Sequence, residues 1–172
     1  MIRIPPQEMA NNSGGISIAN AFGVGGNHDA AVLDWGAVQH SAYIVAWLPP
    51  AWQGNNIDIL MGAFHKKSGL TTGVDDEVSL ELGYETLVDL AIAINPGTIN
   101  DGTAPHEVSQ SFALGVTQEA VTWISLTAGA NIAVGASDNW IQFRITRDAL
   151  NGAPDDTLAA SLYSMGLVII KV

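Results

Sequence analysis

Apolar and polar residues alternate with a period of two over much of this chain. Between residues 76 and 82, Val78, Leu80 and Leu82 share one side, while Glu77, Ser79 and Glu81 share the other. That alternation predicts a half-exposed strand. Residues 120–126 set Val121, Trp123 and Ser125 against Thr122, Ile124 and Leu126. Residues 40–48 are apolar on both sides, with Tyr43, Val45 and Trp47 opposite Ala42, Ile44, Ala46 and Leu48, which predicts a central strand covered on both faces. The chain closes on residues 138–147 and 159–172, two further strands around a polar loop. Leu167, Val168, Ile169 and Ile170 offer apolar side chains to both faces, so the last strand is expected to be central or covered.

Turn chemistry divides the rest. Pro49 and Pro50 stop the strand before them, because proline donates nothing to a ladder. Residues 53–56 form a turn, and residues 57–64 are expected to return antiparallel to residues 40–48. A weak strand is expected at 16–22, a short one at 30–35 and a further strand at 110–116, with a loop or short strand at 129–135. Residues 85–94 place Leu87, Leu90, Ala91 and Ile94 at helical spacing, but the β-rich surroundings favour a strand. The total is about eight main strands, the spacing of a sandwich or jelly roll. The pattern thus predicts an all-β, single-domain antiparallel β-sandwich of jelly-roll type over residues 16–172. Residues 1–15 read as an extended N-terminal arm: Pro5 and Pro6 favour extension, and residues 11–15 are turn-rich. Ile2, Ile4 and Met9 are too apolar for a free tail. They are expected to lie on a neighbouring subunit or partner.

Composition changes this picture in two respects. The 172 residues include 17 Asp and Glu against 6 Lys and Arg, a formal net charge of -11, which disfavours binding to nucleic acid. Only 13% of residues are charged, against the usual ~25%, while 48% are apolar. Burying apolar surface between copies would reconcile the two, and a homotrimer is expected. There is no cysteine, so thiolate chemistry and disulfides are excluded. No stretch reaches the ~18 apolar residues of a membrane span, and the first residues lack the apolar run of a signal peptide. No membrane partner is expected.

Candidate chemistry is sparse. His28, His40, His65 and His106 form no local metal-ligand pair. Ser41 follows His40, but no nucleophile-elbow or phosphate-loop motif occurs. The carboxylates Asp75, Asp76 and Glu77, and Asp155 with Asp156, suit calcium by type but not by spacing, and solvated loops explain them better. No cofactor, metal or catalytic residue is therefore expected. Arg147, at the start of the loop carrying Asp148, Asp155 and Asp156, is expected to pin that loop through a carboxylate. Of the five tryptophans, Trp35, Trp47, Trp123 and Trp140 lie in apolar strands and read as core. Trp52, between Pro50 and Gly54, reads as the exposed ring and a partner-contact candidate.

Residues 48–54 (Leu, Pro, Pro, Ala, Trp, Gln, Gly) lead into Ile57, Asp58, Ile59, Leu60 and Met61. Much later come residues 140–148, then Asp155, Asp156, Thr157 and Leu158, then Leu167 to Ile170. In this order the chain resembles small jelly-roll structural proteins of tailed bacteriophages, which serve as capsid decoration or fibre components. The resemblance implies a non-enzymatic virion protein, made in the host cytoplasm. As a capsid decoration (cement) protein it would bind the major capsid protein and stabilise the outer capsid surface as an oligomer. The alternatives are a tail, baseplate or fibre component, or a glycan-binding β-sandwich module with an exposed aromatic platform.

Overall fold

The computed structural model describes residues 1–11, 17–21, 30–36, 39–88, 107–147 and 156–172. The strands among these are β1 (Ile2–Ile4), β2 (Ala10–Asn11), β3 (Ser17–Ala21), β4 (Ala30–Asp34), β5 (His40–Trp47), β6 (Asn56–His65), β7 (Glu77–Leu87), β8 (Glu107–Ala113), β9 (Thr122–Ser125), β10 (Ile132–Ala133), β11 (Trp140–Arg147) and β12 (Leu162–Lys171). They form two sheets, with every recorded pairing antiparallel. The seven-stranded sheet runs β10-β6-β12-β4-β3, with β9 also on β6 and β1 also on β12; the five-stranded sheet runs β2-β5-β11-β7-β8. This is the antiparallel β-sandwich expected from the alternation. The extra strands beyond the expected eight are short edge pieces such as β1, β2 and β10.

The core lies where the inner faces meet. Ile57, Ile59, Met61 and Ala63 of β6 face Ile141, Phe143 and Ile145 of β11, and all seven are fully buried. Trp35 is buried among them, and its indole N–H donates to Ser164 Oγ at 2.9 Å. As expected, β12 is central: it pairs with β6 on one side and with β4 and β1 on the other. Its register shifts at Met165–Gly166. Gly166 has φ +93°, and a Cβ there would sit 2.4 Å from the Ile4 carbonyl oxygen. The chain at Ile4–Pro6 can cross this bulge closely only because residue 166 has no side chain.

Three expectations are corrected. β5 and β6 are not partners: they belong to different sheets, as do the closing strands β11 and β12. Period-two alternation marks a strand but does not assign its neighbour, and the Pro49–Pro50 link carries the chain across the sandwich. Residues 1–11 are not an arm on a neighbour. β1 pairs with β12 through Ile2↔Ile169 and Ile4↔Leu167, and β2 pairs with β5. Ile4 and Met9 are buried in the core and Ile2 packs against it. Pro5 and Pro6 interrupt the ladder only between two short strands, so both flanks still pair. Trp52 is buried, not exposed: the 3-10 turn Pro50–Trp52 folds its ring inward, with Trp52 N–H on the Pro49 carbonyl at 2.8 Å. The strand expected over residues 85–94 is present to Leu87, and its remainder lies outside the described residues.

Candidate aromatic binding face

β5, β11 and β7 lie side by side, and their register sorts the outward side chains into rows. Trp47, Trp140 and Leu87 form the first row, Val45, Gln142 and Glu85 the second, Tyr43, Arg144 and Gly83 the third, and Ser41, Thr146 and Glu81 the fourth. One end of this outer face is aromatic and the other polar. A row across three strands spans roughly 10 Å at normal strand spacing. Trp47 is 49% exposed and Val45 37%. Both were expected to be covered. The sequence shows two apolar faces on this strand, and only the fold reveals that Val45 and Trp47 stand exposed on one of them, beside the buried Tyr43, Gln142 and Leu87.

Fixed polar groups adjoin the rings. Tyr43 donates its hydroxyl to Gln142 Oε1 at 2.6 Å, and Gln142 Nε2 donates to Glu85 Oε2 at 2.7 Å. Gln142 is buried at 1% exposure, so this amide is locked and its partners with it. Burial, and secondarily the Glu85 charge, push the Tyr43 phenol up to about 12, so it stays a neutral hydroxyl. Ser41 and Thr146 hydroxyls meet at 2.9 Å, and Arg144 lies 3.8 Å from Glu81. At the aromatic end, Gln53 Nε2 donates to Asn139 Oδ1 at 2.7 Å, and Asn139 N–H donates to the Leu87 carbonyl, which braces the chain entering Trp140. A face of this kind offers a flat apolar ring beside preset hydrogen-bonding groups, the combination of a polar-ligand site.

The residues singled out from sequence lie elsewhere. Ile2, Ile4, Met9 and Trp52 belong to the packed body, and none lies on this face. Trp123, expected in the core, is 56% exposed on the opposite sheet, over Gly62. Arg147 binds a carboxylate, Asp156, as expected; residues 148–155 of the loop lie outside the described residues. Arg147 is fully buried, with Nε 2.9 Å and Nη2 3.0 Å from the Asp156 carboxylate, and it also donates to the carbonyls of Gly36, Leu158 and Ala160. His65 is buried with Nε2 2.9 Å from the Gly115 carbonyl, and His40 is half-buried; His28 and His106 lie outside the described residues. Asp76 is buried and accepts from Gly73 N–H at 2.7 Å, and Asp75 accepts from Thr71 N–H. Among the described residues no group of three His, Asp or Glu side chains gathers for a metal ion. The missed residues are Trp47 and Trp140. Their signal was in the sequence as two aromatic positions of equal parity with Tyr43 and Gln142, but the pairing of β5 with β11 was not.

No family model matches this sequence, and neither does any curated protein. Solved structures do resemble the fold. The CBM22-2 xylan-binding domain of Xyn10C from Paenibacillus barcinonensis aligns at TM-score 0.51 and 12% identity, over 96% of this chain and 92% of that one. The CBM22-1–CBM22-2 tandem of the same protein aligns at 0.54 and 11%, over 99% of this chain and 50% of that one. The enzymatically active domain of bacteriophage CBA120 tailspike protein 4 aligns at 0.46 and 9%, over 91% of this chain and 18% of that one. At these identities the likeness to the two Xyn10C structures concerns the sandwich fold alone.

Proposed function

We propose that this chain is a non-catalytic glycan-binding β-sandwich module that holds sugar on the outer face of the five-stranded sheet. The observation that carries this reading is the exposed Trp47 ring in register with Trp140, next to the locked Tyr43–Gln142–Glu85 chain. A pyranose ring presents an apolar C–H face that lies on an indole, while its hydroxyls need donors and acceptors at fixed positions. Glu85, exposed in the next row, supplies such a group beside the rings, and Arg144 and Glu81 lie farther along the same face. The carboxylates of Glu81 and Glu85, within a chain of net charge -11, favour a neutral polysaccharide over a uronate or sulfated one. The fold shared with a xylan-binding domain makes soluble xylan the first polysaccharide to test.

Affinity electrophoresis against xylan, β-glucan, galactan and a polyuronate tests the reading. Retardation by a neutral glycan is expected, and Trp47→Ala should weaken it at least about tenfold, the loss typical of a central aromatic anchor. Because the ring is half exposed, the variant should keep its melting temperature. Retardation unchanged by Trp47→Ala would remove the proposed face.

A virion structural role is the second reading. Its support is the charged fraction of 13%, low enough to suit a chain that buries surface in an assembly. A capsid decoration role predicts a trimer near three times 18.0 kDa in light scattering and binding to assembled capsids. The aromatic face supports the glycan reading better than a capsid one.

A further inference from the structure

The outer face of the seven-stranded sheet carries a second, chemically different feature. Where β9, β6, β12 and β1 lie in sequence, Leu60, Val168 and Ile170 form the floor of an open groove of about 710 Å³. Trp123 makes one wall. Its ring stands over Gly62, where an added Cβ would come within 3.3 Å, so the missing side chain lets the indole lie against the sheet. Met165, 40% exposed at the β12 bulge, extends the apolar surface. On the opposite rim lies Arg3, the one charged side chain of the lining.

Arg3 stands apart from the other basic residues. Lys66 sits over the Tyr163 ring, Lys67 pairs with Asp75, Arg144 with Glu81, Arg147 with Asp156, and Lys171 donates to the Ala51 carbonyl. Arg3 alone has no such partner among the described residues. In a chain with 17 carboxylates and 6 basic side chains, this guanidinium at the edge of the apolar groove has no ion-pair partner among the described residues. The lining has too few polar groups for a polysaccharide, and the volume falls in the range of small-molecule sites.

We propose that this groove binds an amphiphilic anion, with an acyl chain or aromatic body lying on Trp123, Leu60, Val168 and Ile170 and its carboxylate on Arg3. Guanidinium forms bidentate, charge-assisted bonds with carboxylate, which gives the site its preference for anions. The site is independent of the glycan face, which lies on the other sheet.

Decanoate, decyl maltoside and decyltrimethylammonium, each below its micelle concentration, are titrated calorimetrically into the full chain. Light scattering is recorded at each protein concentration. Decanoate should bind saturably, one molecule per chain, and more tightly than either comparator. Arg3→Gln, an exposed change that the fold tolerates, should weaken decanoate about tenfold, as expected for loss of a charged hydrogen bond, and leave decyl maltoside unchanged. Trp123→Ala should weaken both. Equal affinity for anion and cation, indifference of decanoate to Arg3→Gln, or no binding would overturn the proposal. So would a self-associated chain that excludes decanoate, which would make the groove an interface between copies.

Discussion

Single residues carry both the stability and the candidate recognition of this molecule. Arg147 makes five hydrogen bonds from a fully buried guanidinium, joining the end of β11 to Asp156, Leu158, Ala160 and Gly36. Such a pair adds little over a well-packed apolar substitute, but breaking it leaves one charge stranded. Arg147→Leu should therefore cost about 3–5 kcal/mol, read as a shifted midpoint in urea unfolding. A shift below 1 kcal/mol would mean that water reaches Asp156. Tyr43 tests the aromatic face by pH. Its folded pKa is near 12, against an ordinary value of 10.0. Between those values the unfolded chain has released a proton that the folded chain keeps, so stability is full below pH 10 and falls as pH rises toward 12. Tyr84, also raised by burial, adds to the same fall. Stability flat across that interval would contradict a locked Tyr43 hydroxyl. At this scale the sequence revealed the Arg147 anchor, because an arginine on a strand's inner parity beside an acidic loop has few other uses. It misplaced Trp47, Trp52, Trp123 and Trp140, because an indole suits a core and a surface equally well.

Elements were legible where only one face was apolar. β7 followed its alternation, and β12 was central as its doubly apolar end implied. β5 misled, since Val45 and Trp47 look like core residues until the pairing with β11 places them outward. Pairing itself was hidden: β5 and β6 are consecutive yet belong to different sheets, and no local signal records a crossover. β1 shows the same limit, because its partner β12 lies at the far end of the sequence. Since β1 seals the core, deleting residues 1–9 should destabilise the isolated chain. Ile4 and Met9 leave the core, at about 1.5–3 kcal/mol each, and β12 gains an open edge. Thermal unfolding of the truncated chain checks this. An unchanged melting temperature would restore the view of a detached arm.

The whole molecule is a sandwich with two unlike outer faces. One sets Trp47 and Trp140 among fixed polar groups, and the other sets Trp123 in an apolar groove with Arg3 on its rim, without an ion-pair partner among the described residues. The acidic charge suits neutral ligands on the first and leaves the second as a local cationic exception. The five tryptophans are spread over both faces and the core, which makes them reporters of where a sugar binds. The most direct test is a nitrogen-15 correlation spectrum of the five indole N–H groups during titration with the neutral oligosaccharide that binds best. The indole signals of Trp47 and Trp140 should move, while those of Trp35, Trp52 and Trp123 stay in place. Movement of Trp123 alone, or no movement with any glycan, would contradict a sugar site on the five-stranded sheet.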